Sequence, residues 1–206
     1  MTQPAGYAAH DLGRRERRKL EVRARILEAG LELFEARGVE ATKVQAICER
    51  ADIAQKTFFN YFPSKRHLLR EIAQVSLGQL LLDIEAVRKL PVPTGEKIHA
   101  FFAGVVENAD EAGPMRRELL TEMVHIAHEP GEEHREAQQL RDAFAGIVMD
   151  GLEADELTDR YPAEALTEML MGAFYVQMFN WANLDAYPLR EHAAQAARFL
   201  TDSMEK

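Results

Sequence analysis

Apolar residues recur along this chain at intervals of three and four, and no stretch shows the strict alternation of a half-buried strand, so the pattern predicts an all-α fold. The first periodic segment places Leu20, Leu27, Leu31 and Phe34 on one face and is expected to end at Gly38. A short segment through Val44, Ile47 and Cys48 should stop near Ala51 and Asp52, since Asp tolerates the left-handed backbone of a turn. A second short segment turns Phe58 and Phe62 toward a core before Pro63 breaks it. Ser64 is then suited to cap a long helix through Leu68, Leu69, Ile72, Val75, Leu80, Leu81 and Ile84, closed by the Pro91 to Gly95 break. Further helical patterns cover about 96–109, 115–128, 133–153, 162–183 and 188–204, separated by Gly113-Pro114, Pro130-Gly131 and the prolines at 162 and 188. The total is about nine helices, with no strand and no internal repeat. Residues 1–12 show no periodicity and are expected to lack regular structure.

Residues 42–65 read as a helix-turn-helix. Thr42 followed by Gln45 has the spacing of a capping box at the start of the first helix. The second helix presents Gln55, Lys56, Thr57 and Asn60 on one side and Phe58 and Phe62 on the other. Side-chain amides can pair with adenine, Lys can reach guanine and a Thr methyl can touch thymine, so these four, with Thr42 and Gln45, form the expected DNA-contacting set. Tyr61, Ser64 and Lys65 are expected to meet phosphates, helped by the amides of the helix beginning at Ser64.

The order Thr42, Ile47, turn, Gln55-Lys56-Thr57-Phe58-Phe59-Asn60-Tyr61-Phe62-Pro63-Ser64-Lys65 resembles the DNA-binding domain of the TetR family of transcriptional regulators. The likeness extends upstream through residues 25–29, Leu33-Phe34 and Gly38, and covers roughly residues 18–69. The chain departs from the family pattern at Asp52, where Gly is usual, at Ala54, where Ser commonly caps, and at Phe59, where Tyr commonly reaches a phosphate. The resemblance implies an N-terminal three-helix DNA-binding domain over 14–63. It also implies a C-terminal helical ligand-binding and dimerisation domain over 64–206.

Charge supports that division. The chain of 206 residues has a net charge of -9, which alone would argue against a nucleic-acid partner. Yet residues 1–70 hold 14 Lys and Arg against 9 Asp and Glu, leaving 11 against 25 for the remainder, so a basic head precedes an acidic body. Arg14, Arg15, Arg17, Arg18 and Lys19 concentrate much of this charge ahead of the first helix; they read either as a solvated helix start or as an arm for phosphates or the minor groove. Hydrophobic residues make up 47% of the chain, enough for a substantial core. No run approaches the roughly 18 apolar residues of a membrane span and the first residues lack the apolar core of a signal peptide, so a cytoplasmic location without membrane contact is expected. Cys48 is the only cysteine, forms no internal disulfide and is read as a small buried hydrophobe.

The last two segments are the most apolar, and a partner is implied because two terminal helices cannot bury so much. By resemblance that partner is a second copy, joined through Leu166, Leu170, Phe174, Trp181, Ala193, Ala197 and Leu200 in a four-helix bundle. The resemblance also implies a small-molecule cavity in the body, for which Phe101, Phe102, Met123, His125, Tyr175, Met178 and Phe179 are the candidate lining; such an effector would be largely apolar. No nucleophile elbow, phosphate loop or Cys/His metal pattern occurs, so no catalytic residue, cofactor or metal is expected. His125, His128 and His134 with Glu132 and Glu133 come nearest to a metal set and are read as surface or pocket lining. The leading reading is a homodimeric repressor released from a palindromic operator by its effector. The alternatives are a helical small-molecule-binding protein or enzyme whose head no longer binds DNA, and an architectural protein that binds others through its last two helices.

Overall fold

The computed structural model describes residues 13–111, 113–128 and 134–206, with the side chains of 110, 111, 113, 125, 127, 128 and 134–137 excepted. The expectations for residues 1–12, for the Pro130-Gly131 turn and for the His125, His128, His134, Glu132 and Glu133 side chains fall outside that description. Nine α-helices run through the described residues: α1 (Arg14–Arg37), α2 (Val44–Arg50), α3 (Gln55–Tyr61), α4 (Lys65–Arg88), α5 (Thr94–Glu111), α6 (Arg116–His128), α7 (His134–Glu153), α8 (Ala163–Asn183) and α9 (Leu189–Met204). A 3₁₀ turn at Gly113–Met115 precedes α6, and the only extended pairing among the described residues is an isolated bridge between Leu157 and Glu205. The chain divides into two compact units, one ending at Leu68 and the other running from Leu69 to Lys206, so α4 gives its first turn to the first unit.

In the first unit the buried face of α1 is Val22, Ile26, Ala29, Gly30, Leu33 and Phe34, whereas Leu20 is exposed and Leu27 and Leu31 are half-buried. The buried stripe is therefore offset by one helical neighbour from the one expected through Leu20 and Leu27. Several apolar residues compete for the same arc, and only packing selects among them. Gly38 closes α1 at φ 81°, a conformation strained for other residues, with its N–H on the Phe34 carbonyl at 2.8 Å. Ile47 and Cys48 of α2 and Phe58 of α3 complete this core together with Phe62 and Leu68. Burying each Phe contributes roughly 1.5–3 kcal/mol.

The turn between α2 and α3 is a Schellman motif. Ala51 ends α2, Asp52 adopts φ 52°, the Ile53 N–H reaches back to the Cys48 carbonyl at 3.0 Å and the Asp52 N–H to the Glu49 carbonyl at 3.3 Å. Asp52 thus stands in the left-handed position that Gly occupies with least strain. The expected capping box at the other end of α2 does not form. Lys43 takes the N-cap position, and Thr42 is buried with its hydroxyl donating to the carbonyls of Gly38 (2.7 Å) and Leu33 (3.3 Å). Gln45 instead donates to Glu49 Oε1 at 2.9 Å. Ser64 does cap α4, its hydroxyl oxygen accepting from the His67 N–H at 3.4 Å while pairing with His67 Nδ1 at 2.8 Å.

The second unit is built on an aromatic centre. Phe101 sits within 5.2–5.6 Å, between ring centroids, of Phe102, Phe144 and Phe174, and Phe174 stacks in turn near Tyr175 at 5.7 Å. Burial pushes the Tyr175 phenol up from its ordinary pKa. Two carboxylates fasten the far ends of the helices. Asp150 takes a two-pronged bond from Arg88 at 2.6 and 2.8 Å, and Glu156 accepts from both the N–H (2.7 Å) and the hydroxyl (2.6 Å) of Thr94 at the start of α5. The Arg88 hydrogen bond holds the Asp150 carboxyl below its usual range, and the Thr94 hydrogen bonds do the same for Glu156. The final residues are tied back by Thr158 N–H to the Met204 carbonyl at 2.7 Å and by Lys206 pairing with Asp155. No helix among the described residues is long and apolar enough to cross a membrane.

Asp52→Gly relieves the left-handed strain and should raise the denaturant midpoint by the equivalent of about 0.5–1 kcal/mol, with no change in helix content by circular dichroism. Asp150 and Glu156 have lowered pKa values in the folded state, so their stabilisation is present above the unfolded carboxylate range and is lost as pH falls through the folded values. Urea midpoints compared between pH 7 and pH 3 should therefore fall less in an Asp150→Asn/Glu156→Gln chain than in the wild type.

Candidate nucleic-acid interface

The seven residues of α3 set the geometry of the candidate interface. Its N-cap is Ala54, which offers no side-chain hydrogen bond, and its first internal bond is the short-range Thr57 N–H to the Ala54 carbonyl at 2.8 Å. A helix this short and uncapped is not stable alone. It is fixed from beneath: Phe58 is fully buried and its ring lies 5.9 Å from that of Phe62, over which the Arg23 guanidinium sits at 5.5 Å. With that side buried, Gln55, Lys56, Phe59 and Asn60 are presented to solvent on one arc, with Thr57 and Tyr61 half-buried at its borders.

Phe59 is absent from the expected contact set because it cannot donate a hydrogen bond to phosphate. In the structure it occupies the middle of the exposed arc, 51% accessible, held edge-on against Phe58 at 5.4 Å. An aromatic ring standing out among amides and a lysine suits apolar contact with a thymine methyl. The signal is available in the sequence, since positions 55, 56, 59 and 60 share a helical face.

Three expected contacts are used within the fold instead. Lys65 turns inward, its ammonium donating to the carbonyls of Val39 (2.5 Å), Thr42 (3.1 Å) and Glu40 (3.3 Å), which leaves none of its three donors for a phosphate. The Ser64 hydroxyl is engaged with His67, and Thr42 is buried within the connection between α1 and α2. Gln45 is exposed, with its amide held along α2 by Glu49. Tyr61 makes no side-chain hydrogen bond to another described residue and faces an open concavity with Asn60 and the basic start of α1.

The body likewise reassigns several expectations. Leu166, Leu170, Phe174, Ala193, Ala197 and Leu200, expected at a dimer surface, are buried in the core of the second unit, and Trp181 is half-buried under the Arg116 guanidinium at 5.6 Å. The outward face of α8 carries Met169, Val176 and Phe179, and α9 exposes Phe199; the last two are 63% and 70% accessible. Phe179, expected in a ligand pocket, belongs to this outer stripe. Phe101, Phe102 and Met178 are buried in the aromatic centre, Met123 and Tyr175 are partly buried against it, and the His125 side chain lies outside the described residues. Among the described residues no group of three His, Cys, Asp or Glu could hold a metal ion.

Residues 26–72 match the family model described as bacterial regulatory proteins of the tetR family. The HTH-type transcriptional repressor KstR of Mycolicibacterium smegmatis is 32% identical over 159 residues, covering 73% of this chain and 74% of that protein. KstR of Rhodococcus jostii is 32% identical over 166 residues, covering 78% and 73%. Among solved structures, the Thermus thermophilus TetR-family repressor FadR in complex with lauroyl-CoA superposes with a TM-score of 0.61 at 25% identity, covering 86% of this chain and 92% of that one. A helix-turn-helix head on a helical body, the family-model match and similarity to named repressors over about three quarters of the chain agree: this chain belongs to the TetR family of DNA-binding transcriptional regulators.

Proposed function

We propose that the chain acts as a homodimeric repressor that holds a roughly palindromic operator through α3 and lets go when a largely apolar effector occupies the body. The observation that carries the reading is the exposed arc of α3. Gln55 and Asn60 can each make paired hydrogen bonds to adenine, Lys56 can reach guanine and Phe59 can cover a thymine methyl, from a helix narrow enough for the major groove. Thr57 lies at the border of that arc and Tyr61 supplies a phenol toward the backbone. Thr42, Ser64 and Lys65 serve this surface indirectly, by fixing the connection between α1 and α2 and the start of α4.

A second copy is called for by the stripe of Met169, Val176, Phe179 and Phe199. An apolar surface of this kind on two neighbouring helices is suited to a two-fold bundle with its own copy. Two-fold symmetry then pairs two α3 helices with half-sites about one helical turn apart. Support for an effector comes from the solved relative that carries lauroyl-CoA. An effector that binds the DNA-free conformation better must weaken DNA binding by the same factor, so release needs no further machinery.

Duplexes selected from a random pool by the full chain supply the probe. Gln55→Ala and Phe59→Ala should each weaken the selected duplex by about 1–3 kcal/mol, roughly 5- to 150-fold, and barely change binding to a scrambled duplex. Equal losses on both duplexes in an anisotropy titration would refute base reading by α3. At micromolar concentration the wild type should sediment at twice the 23.3 kDa of one chain, and a Phe179→Asp/Phe199→Asp chain at one. A wild-type monomer would remove the palindromic operator from the reading.

A further inference from the structure

The first two turns of α1 carry charge that the fold does not use. Arg14, Arg15, Arg17, Arg18 and Lys19 fall within six residues, with Glu16 the only acid among them. Every residue from Gly13 to Glu21 is exposed, and Val22 is the first side chain of α1 to be buried. None of the five basic side chains forms an ion pair with another described residue. The helix therefore continues for two turns past its own core, with no buried side chain there among the described residues.

Electrostatics within the chain oppose this arrangement. A helix N-terminus carries about half a positive charge, so cations in its first turns are repelled where anions would be favoured. Gly13 provides no side-chain cap to offset the cost. Among the described residues none of the five cations has an anionic partner within ion-pair distance, and the surface in front of them is open to one. The five cations line one open concavity of about 1220 Å³ together with Asn60 and Tyr61. A row of guanidinium forks facing an amide and a phenol offers donors and no competing carboxylate beyond Glu16 and Glu21.

Asn60 and Tyr61 also fix the identity of the occupant. They close α3, whose exposed arc is the surface assigned to DNA above, so a polyanion seated in the concavity is continuous with a duplex on that arc. We propose that the start of α1 is a second DNA-contacting element, a backbone clamp that holds phosphates beside the bases met by α3 and reads no sequence itself. The inference rests on the DNA reading of α3 and adds to it a separate, sequence-independent contribution. Such a contribution has its own signature, because each phosphate neutralised adds about 0.9 to the slope of log affinity against log salt.

The test uses the full chain, a selected duplex and a scrambled duplex of the same length, titrated by anisotropy across a series of salt concentrations. Replacing Arg14, Arg15, Arg17 and Arg18 together by Ala should weaken both duplexes by the same factor, roughly tenfold or more. It should also reduce the salt slope by about 0.9 for each phosphate that is no longer neutralised. The corresponding fourfold Lys variant should keep most of the slope, and neither should move the thermal midpoint, because the segment is unpacked. An Ala variant with the wild-type slope overturns the clamp. So does a variant that loses only preference for the selected duplex, since that would put these residues on bases. Gln55→Ala separates the two claims: if it leaves duplex preference intact while the Ala variant loses slope, the clamp stands and the α3 reading fails. Wild-type chain that binds neither duplex at low salt overturns both.

Discussion

The burial of Phe58 is the constraint on which the exposed arc of α3 depends. Seven residues cannot hold a helix in water by backbone hydrogen bonds alone, and Ala54 gives this one no cap. The direction in which Gln55, Lys56, Phe59 and Asn60 point is decided by the apolar side, where Phe58 and Phe62 enter a core made with Ile26, Phe34 and Ile47. The Schellman turn at Asp52 sets the angle of entry, and the ring of Phe59 leans on Phe58. An exposed polar face of low intrinsic stability is thus kept in register by hydrophobic packing beneath it, which is how a short helix can be both precise and wet.

Charge in the first unit is used in two opposite ways. Lys65 directs its donors to three carbonyls at the connection between α1 and α2, and Arg50 is clamped by Glu32 at 2.6 and 3.0 Å. These cations are structural. The five at the start of α1 have no such partner among the described residues, and they stand where the helix dipole disfavours them. Two groups of the same charge are told apart by what their nitrogen atoms touch, a distinction that composition cannot make.

The second unit separates its tasks by depth. The rings of Phe101, Phe144 and Phe174 pack against one another, while Arg88 with Asp150 and Thr94 with Glu156 lock α4, α5 and α7 at one end. What is left over lies outside: Met169, Val176 and Phe179 on α8 and Phe199 on α9. Leu166, Leu170, Ala193 and Ala197 come from the same two helices and face inward, so the surplus of apolar residues that suggests a partner is real, although the residues expected to form that surface are not the ones exposed.

The number of helices, their order, the breaks between them and the helix-turn-helix are legible in the sequence, because periodicity and Pro or Gly punctuation are local properties. The left-handed turn at Asp52 and the Ser64 cap are legible for the same reason. Sequence alone does not decide which of two adjacent apolar stripes a helix buries, so the faces expected to be inside α1 and α8 fail at Leu20 and Phe179. Nor does it decide whether a hydroxyl or ammonium turns to solvent or to a neighbouring carbonyl, as Thr42 and Lys65 do, because those acceptors lie 4 to 26 residues away along the chain. Periodicity states that a helix has two sides; only the packing of other helices against it determines which side is inside.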